Sequence, residues 1–148
     1  IVIGAGTEYF YGASGAVLGR SRRFAIEDPC HRTLAQVYKK SGAEVVPVSM
    51  DESGVRVEEL EESGAQIVHL SPPHQYPTGT VMPITRRQEL LAWMERAEGR
   101  FLIEDDYDSE FRFSGRPVPT LQSLDTRGRV IYLNTFSKPS RLRFVSAT

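Results

Sequence analysis

Phe101-Leu102-Ile103-Glu104-Asp105-Asp106-Tyr107-Asp108 sets a short apolar run directly against a run of acids. Three apolar residues are too few for the stripe of an amphipathic helix, but they suit the middle of a strand covered on both faces. The acids mark where such a strand leaves the core. The same arrangement recurs in both directions along the chain. Phe24-Ala25-Ile26 runs into Glu27-Asp28-Pro29-Cys30-His31, and Ile67 to Leu70 into Ser71-Pro72-Pro73-His74-Gln75-Tyr76-Pro77-Thr78-Gly79. Val130 to Leu133 runs into Asn134-Thr135-Phe136-Ser137-Lys138. Val45 to Val48 is a fifth apolar run, and Pro47 inside it places that strand at a sheet edge or a frayed end.

Helical patterns lie between several of these runs. Arg32 to Ser41 puts Leu34, Val37 and Tyr38 on one face, with Gly42 placed to end the helix. Thr85 and Gln88 form a capping-box pattern, opening a helix that turns Leu90, Leu91, Met94 and Ala97 inward and ends at Gly99. Strands alternating with helices predict an α/β fold, three layers deep (α/β/α), around a mainly parallel sheet. In such a sheet the carboxyl ends of the strands line one crevice, where ligands bind. Four polar clusters far apart in sequence therefore converge by topology alone.

Composition bounds the partners. The chain has 148 residues, 40% hydrophobic and 25% charged, enough for a core of its own. Eighteen Lys and Arg against nineteen Asp and Glu leave a net charge of -1, too balanced for binding nucleic acid by charge alone. The single Cys30 excludes a disulfide scaffold or a multi-thiolate metal cage. No apolar run approaches the roughly eighteen residues of a membrane span, which predicts a cytoplasmic protein with no membrane partner. There is no internal repeat, linker or domain boundary, so residues 1–148 read as part of one domain. Both ends read as cut: the chain opens on Ile1-Val2-Ile3 without an initiator Met and closes on the apolar Phe144-Val145.

Each candidate site admits more than one role. Gly4-Ala5-Gly6-Thr7-Glu8-Tyr9 has part of a dinucleotide fingerprint, but Tyr9 stands where a third Gly is needed. A Gly-Thr turn opening a helix still offers N–H groups and a hydroxyl to a phosphate, or serves only as a cap. The acidic run lacks the glycine an EF-hand requires. It leaves open a Mg²⁺ site, a helix or loop cap, or an acid at Asp105 holding a protonated heterocycle nitrogen. Lys138 follows a strand and is either a solvated loop lysine or a nucleophile in the crevice. A Lys at one strand end, an Asp at another and small hydroxyl residues for a phosphate are together what pyridoxal phosphate requires. His69 alternates within an apolar run and reads as a satisfied core histidine. His74 either faces the crevice or caps the Pro-rich turn, Trp93 reads as helix packing, and adjacent Cys30 and His31 do not suit a nucleophile and its base.

Ala5-Gly6-Thr7-Glu8, Glu27-Asp28-Pro29, His74-Gln75-Tyr76-Pro77-Thr78-Gly79, Glu104 to Phe111 and Thr135-Phe136-Ser137-Lys138 occur in this order. Together they resemble the large domain of fold-type-I, class I aminotransferases. More narrowly, they resemble the aminotransferase-like domain of MocR-type transcriptional regulators of the GntR superfamily. Tyr76-Pro77-Thr78-Gly79, where free aminotransferases carry Asn-Pro-Thr-Gly, favours the regulator branch.

The resemblance implies pyridoxal 5′-phosphate as cofactor. Lys138 would bond to its aldehyde, Asp105 would pair with the pyridine nitrogen, and Tyr107 would hydrogen-bond the phenolic oxygen. Gly6, Thr7 and Glu8 would surround the phosphate with Thr135 and Ser137. His31 stands where an aromatic ring usually stacks on the cofactor, and Tyr76 replaces the Asn that contacts the phenolic oxygen. The family's phosphate-clamping Arg falls in a shortened segment, where Arg143 or Arg141 stands nearest. The resemblance also implies a winged-helix DNA-binding domain before residue 1 and a small domain after residue 148, with the site closing across a homodimer. It leaves three readings: the effector domain of a bacterial regulator sensing a small amino compound, a piece of a true aminotransferase, or a remnant that binds nothing.

Overall fold

The computed structural model describes residues 1–4, 6–19, 21–108 and 118–135. In chain order it forms α1 (Thr7–Leu18), β1 (Arg23–Asp28), α2 (Arg32–Lys40), β2 (Glu44–Asp51) and β3 (Gly54–Val55). There follow α3 (Val57–Glu62), β4 (Ile67–Leu70), α4 (Ile84–Glu95), β5 (Phe101–Asp106), α5 (Leu121–Leu124) and β6 (Val130–Asn134). All five apolar runs are strands of one sheet, ordered β3-β2-β1-β4-β5-β6. Every pairing is parallel except β2 with β3.

From β1 the chain first builds outward to β2 and β3. It then returns to the other side of β1 and builds β4, β5 and β6. The order therefore reverses between β1 and β4, which is where the crevice of an open α/β sheet lies.

Strand alternation sorts the core into two layers. Ala25, Val68 and Leu102 face a cluster with Leu60, Leu90, Trp93, Met94 and Leu121, supplied by α3, α4 and α5. Phe24, Ile26, Ile67, Ile103 and Leu133 face Leu34 and Tyr38 of α2, with Phe10, Tyr11 and Leu18 of α1 packed alongside. Helices on both faces of the sheet give the three expected layers. Each such fully buried aliphatic or aromatic side chain contributes about 1.5–3 kcal/mol. Gly15 allows α1 to lie close on α2, since a Cβ there would collide with the Ser41 hydroxyl.

Pro47 sits on β2, where β3 covers only Met50 and Asp51, so its missing N–H faces an open edge as expected. The helix from Arg32 ends as predicted, with Ser41 as its cap and Gly42 at φ 87°. The capping box at Thr85 and Gln88 is not formed. Pro83 takes the N-cap position with φ -69° and ψ 161°, and Arg87 N–H donates to its carbonyl at 3.2 Å, so Thr85 is already helical. A proline before the first turn, with φ already near helical values, starts the helix without a side-chain cap. On α4, Leu90 and Met94 are buried as expected and Trp93 is core packing, but Arg87 is buried beside them. The closing Phe144-Val145 lies outside the described residues.

Candidate functional site

A cavity of about 350 Å³ opens at the carboxyl ends of the strands, around the β1–β4 reversal. Its size is within the usual range for small-molecule sites. Thr7, Glu8 and Tyr11 reach it from α1, and Glu27, Cys30 and His31 from the end of β1 and the start of α2. His69, Ser71 and Tyr76 come from β4 and the loop after it, Asp105 and Tyr107 from the end of β5, and Thr135 from the end of β6. Topology thus brings together clusters more than 100 residues apart.

Within the acidic run, the period-two alternation separates neighbours. Glu104 lies on the α4 and α5 side, fully buried, accepting from Leu121 N–H and Gln122 N–H at 3.0 Å each. Asp106 accepts from Tyr132 Oη at 2.8 Å. Asp105 points the other way, into the cavity. Its Oδ2 accepts from Tyr11 Oη at 2.5 Å and lies 3.5 Å from His69 Nε2. Its Oδ1 is buried with no hydrogen-bond partner. A buried carboxylate oxygen left unpaired is costly, and it suits a donor supplied by a ligand.

At the other end of the cavity, α1 begins with Gly6 as N-cap, at φ 87° and ψ 159°, and no side chain caps the helix. The first-turn N–H groups beside Thr7 and Glu8 therefore have no intrahelical partner, and the helix dipole adds positive potential. Glu8 brings a negative charge to the same turn. His31 lines the cavity as the N-cap of α2, its Nδ1 accepting from Thr33 N–H at 3.4 Å. Its ring stands 5.5 Å from that of Tyr76.

Tyr107 stacks on His74 at 5.9 Å, and His74 Nδ1 lies 3.2 Å from Asp108 Oδ2. Burial, with the nearby Asp108 and Asp105, pushes the Tyr107 phenol up to about 12, so it remains a donor at neutral pH. The Cys30 thiol is likewise raised by burial and by Glu27 and Asp28, which keeps it protonated and a poor nucleophile. Thr135 lines the cavity. Ser137, Lys138, Arg141 and Arg143 lie outside the described residues.

Three cavity residues, and Gln75 in the loop beside them, carry no role in the sequence reading. Tyr11 sits one helical turn beyond Thr7, a spacing that marks a shared face. His69 is a core histidine as expected, 2% exposed, but it also lines the cavity. Glu27 is 4% exposed, and burial pushes its carboxyl up to about 7 despite Ser71 N–H donating to it at 3.2 Å. Gln75, 2% exposed, donates to the Pro29 and Tyr76 carbonyls at 2.7 Å and accepts from Thr78, tying the loop after β4 to the end of β1. Only its position inside the Pro-rich loop marks it in sequence, and nothing local shows that it is buried.

The site is thus a set of polar ends of a mostly parallel sheet, closing on an orphaned carboxylate and a helix start with no side-chain cap. Residues 1–140 match the family described as aminotransferase class I and II, and the chain belongs to it. The chain is 44% identical over 138 residues to the uncharacterized HTH-type transcriptional regulator YhdI of Bacillus subtilis strain 168, covering 93% of this chain and 29% of that protein. It is 38% identical over 113 residues to the probable rhizopine catabolism regulatory protein MocR of Rhizobium meliloti, covering 76% and 23%. The crystal structure of Pyrococcus horikoshii kynurenine aminotransferase superposes with a TM-score of 0.81 at 31% identity, over 90% of this chain and 35% of that one. The chain thus spans less than a third of the length of either regulator.

The expected kinship with fold-type-I aminotransferases and with MocR-type regulators holds. Its cofactor is pyridoxal 5′-phosphate, and the cavity fits that group on its own chemistry: among the described residues, Asp105 Oδ1 lacks a donor and no side chain caps the start of α1. Among the described residues, no helix is long and apolar enough to cross a membrane.

Proposed function

We propose that this chain is the pyridoxal-phosphate-binding, aminotransferase-like effector domain of a transcriptional regulator, in which a small amino compound alters DNA binding. The observation that carries the reading is the unpaired Oδ1 of Asp105 in the cavity, in a chain whose relatives include HTH-type regulators. DNA contact would belong to a winged-helix domain before residue 1, and the regulator would act as a homodimer in the cytoplasm. The net charge of -1 supports assigning DNA binding elsewhere in the protein.

Bound there, pyridoxal 5′-phosphate supplies an electron sink for an amino compound attached at its aldehyde carbon. Asp105 would hold the ring nitrogen in its protonated form, since an adjacent carboxylate favours the positive charge. Tyr107 would donate to the phenolic oxygen from its protonated phenol. Thr7 and the first-turn N–H groups of α1 would orient the phosphate, with Thr135 and Ser137 adding hydroxyls and Arg143 a charge. His31 and Tyr76 would cover one side of the ring. Lys138 would be the residue that bonds to the aldehyde.

Absorption spectra of the cofactor-loaded full-length protein test the assignment. Asp105→Asn should retain some cofactor but change the spectrum, because an amide cannot stabilise a protonated ring nitrogen. Asp106→Asn should leave the spectrum as in the wild type. A changed spectrum in Asp106→Asn with an unchanged one in Asp105→Asn would overturn the reading of the site.

A further inference from the structure

We propose that His69 and Tyr11 are positioning residues that grip Asp105 by its Oδ2 atom and so reserve Oδ1 for the ring nitrogen. The inference rests on the cofactor reading above.

His69 lies on β4, paired in register with Ile26 of β1 on one side and Ile103 of β5 on the other. Its Nδ1 is 2.8 Å from Tyr38 Oη, and its Nε2 is 3.5 Å from Asp105 Oδ2. The Tyr38 phenol is buried and held well above its ordinary range, so it keeps its proton. In neutral His69, Tyr38 O–H donates to Nδ1, which places the ring proton on Nε2. The opposite tautomer would aim a nitrogen lone pair at the carboxylate. A doubly protonated ring also carries a proton on Nε2, so either protonation state turns an N–H toward Asp105.

Tyr11 Oη, 2.5 Å from the same Oδ2, is raised above its ordinary range by burial and by the charge of Asp105, and it too remains a donor. Tyr11 therefore donates to Oδ2 and His69 Nε2 stands 3.5 Å from the same atom, while Oδ1 has no hydrogen-bond partner among the described residues. Gripping one oxygen from α1 and from β4 fixes the plane of the carboxylate. It also leaves Oδ1 as the oxygen available to the ring nitrogen. Tyr11 follows Thr7 and Glu8 by one turn of the same helix, so the phosphate end and the ring end of the cavity are held by one rigid element.

Full-length protein loaded with pyridoxal 5′-phosphate labelled with ¹⁵N in the ring gives a readout that general loosening of the fold would not mimic. Tyr11→Phe and His69→Leu should each move the ring-nitrogen resonance toward that of an unprotonated pyridine. Each should also weaken cofactor affinity about tenfold, the scale of one charge-assisted hydrogen bond. His69→Gln, whose amide can donate to Oδ2, should recover most of the shift. If His69→Leu does not fold, Tyr11→Phe decides alone, since it removes a single hydroxyl. Resonance and affinity unchanged in Tyr11→Phe, with a wild type that binds cofactor, would overturn this inference alone. A wild type that binds no cofactor would overturn the parent reading and this inference with it.

Discussion

Glu27 shows how one residue couples site and stability. Its carboxyl ionises near 4.5 in an unfolded chain and at about 7 in the cavity wall, where loss of water is the largest cause. Between those values the folded protein holds a proton that the unfolded chain has released, so stability falls as pH rises from about 4.5 to 7 and is flat above. The shift corresponds to about 3 kcal/mol. Chemical denaturation across that range should show this loss in the wild type and a flatter profile in Glu27→Gln; equal slopes would contradict it. In sequence, Glu27 is legible as a strand-end acid, but its raised pKa depends on burial by segments distant in the chain. Asp105 was legible as one of several strand-end acids, and alternation along β5 takes it to the cavity while Asp106 meets Tyr132. His69 was legible only in part, because an apolar run shows that a histidine is buried and not which atoms its two nitrogens meet.

At the scale of elements, Arg87 pins α4 to the loop segments around it. Its guanidinium donates to the carbonyls of Met82 at 3.1 Å, Pro119 at 3.0 Å and Pro72 at 3.2 Å, and lies 3.5 Å from Glu104. Arg87 is 1% exposed and Glu104 is fully buried. Arg87→Met would leave the Glu104 carboxylate without its cation and should destabilise the protein by about 3–5 kcal/mol. A urea titration measures this, and a loss below about 1 kcal/mol would contradict the role. The five long strands were legible because each carries a short apolar run, buried continuously in β1, β4 and β5 and only in part in β2 and β6. Two-residue β3, six-residue α3 and four-residue α5 were not. Elements that short hold their shape through tertiary contacts, such as Leu60 and Leu121 in the core and Glu104 capping α5. The start of α4 was misplaced because the sequence pattern at Thr85 and Gln88 competes with Pro83, and the proline decides.

For the molecule as a whole, the strand order makes the site. Because the sheet reverses between β1 and β4, Glu27, His69, Asp105 and Thr135 arrive at one cavity from four strand ends. This convergence was legible from the repeated pattern of apolar run and polar cluster. The grip on Asp105 was not, since it needs α1 packed on α2 through Gly15. Thr135, just past β6, lies at the cavity, and Lys138 follows it three residues later in sequence. The proposed function assigns the covalent hold on the cofactor to Lys138. The chain has three lysines, and the other two, Lys39 and Lys40, are exposed at the end of α2. Loading the full-length protein with pyridoxal 5′-phosphate, reducing with borohydride and mapping peptides tests this most directly. The pyridoxyl group is expected on Lys138; a label on other lysines with Lys138 unmodified would contradict the account.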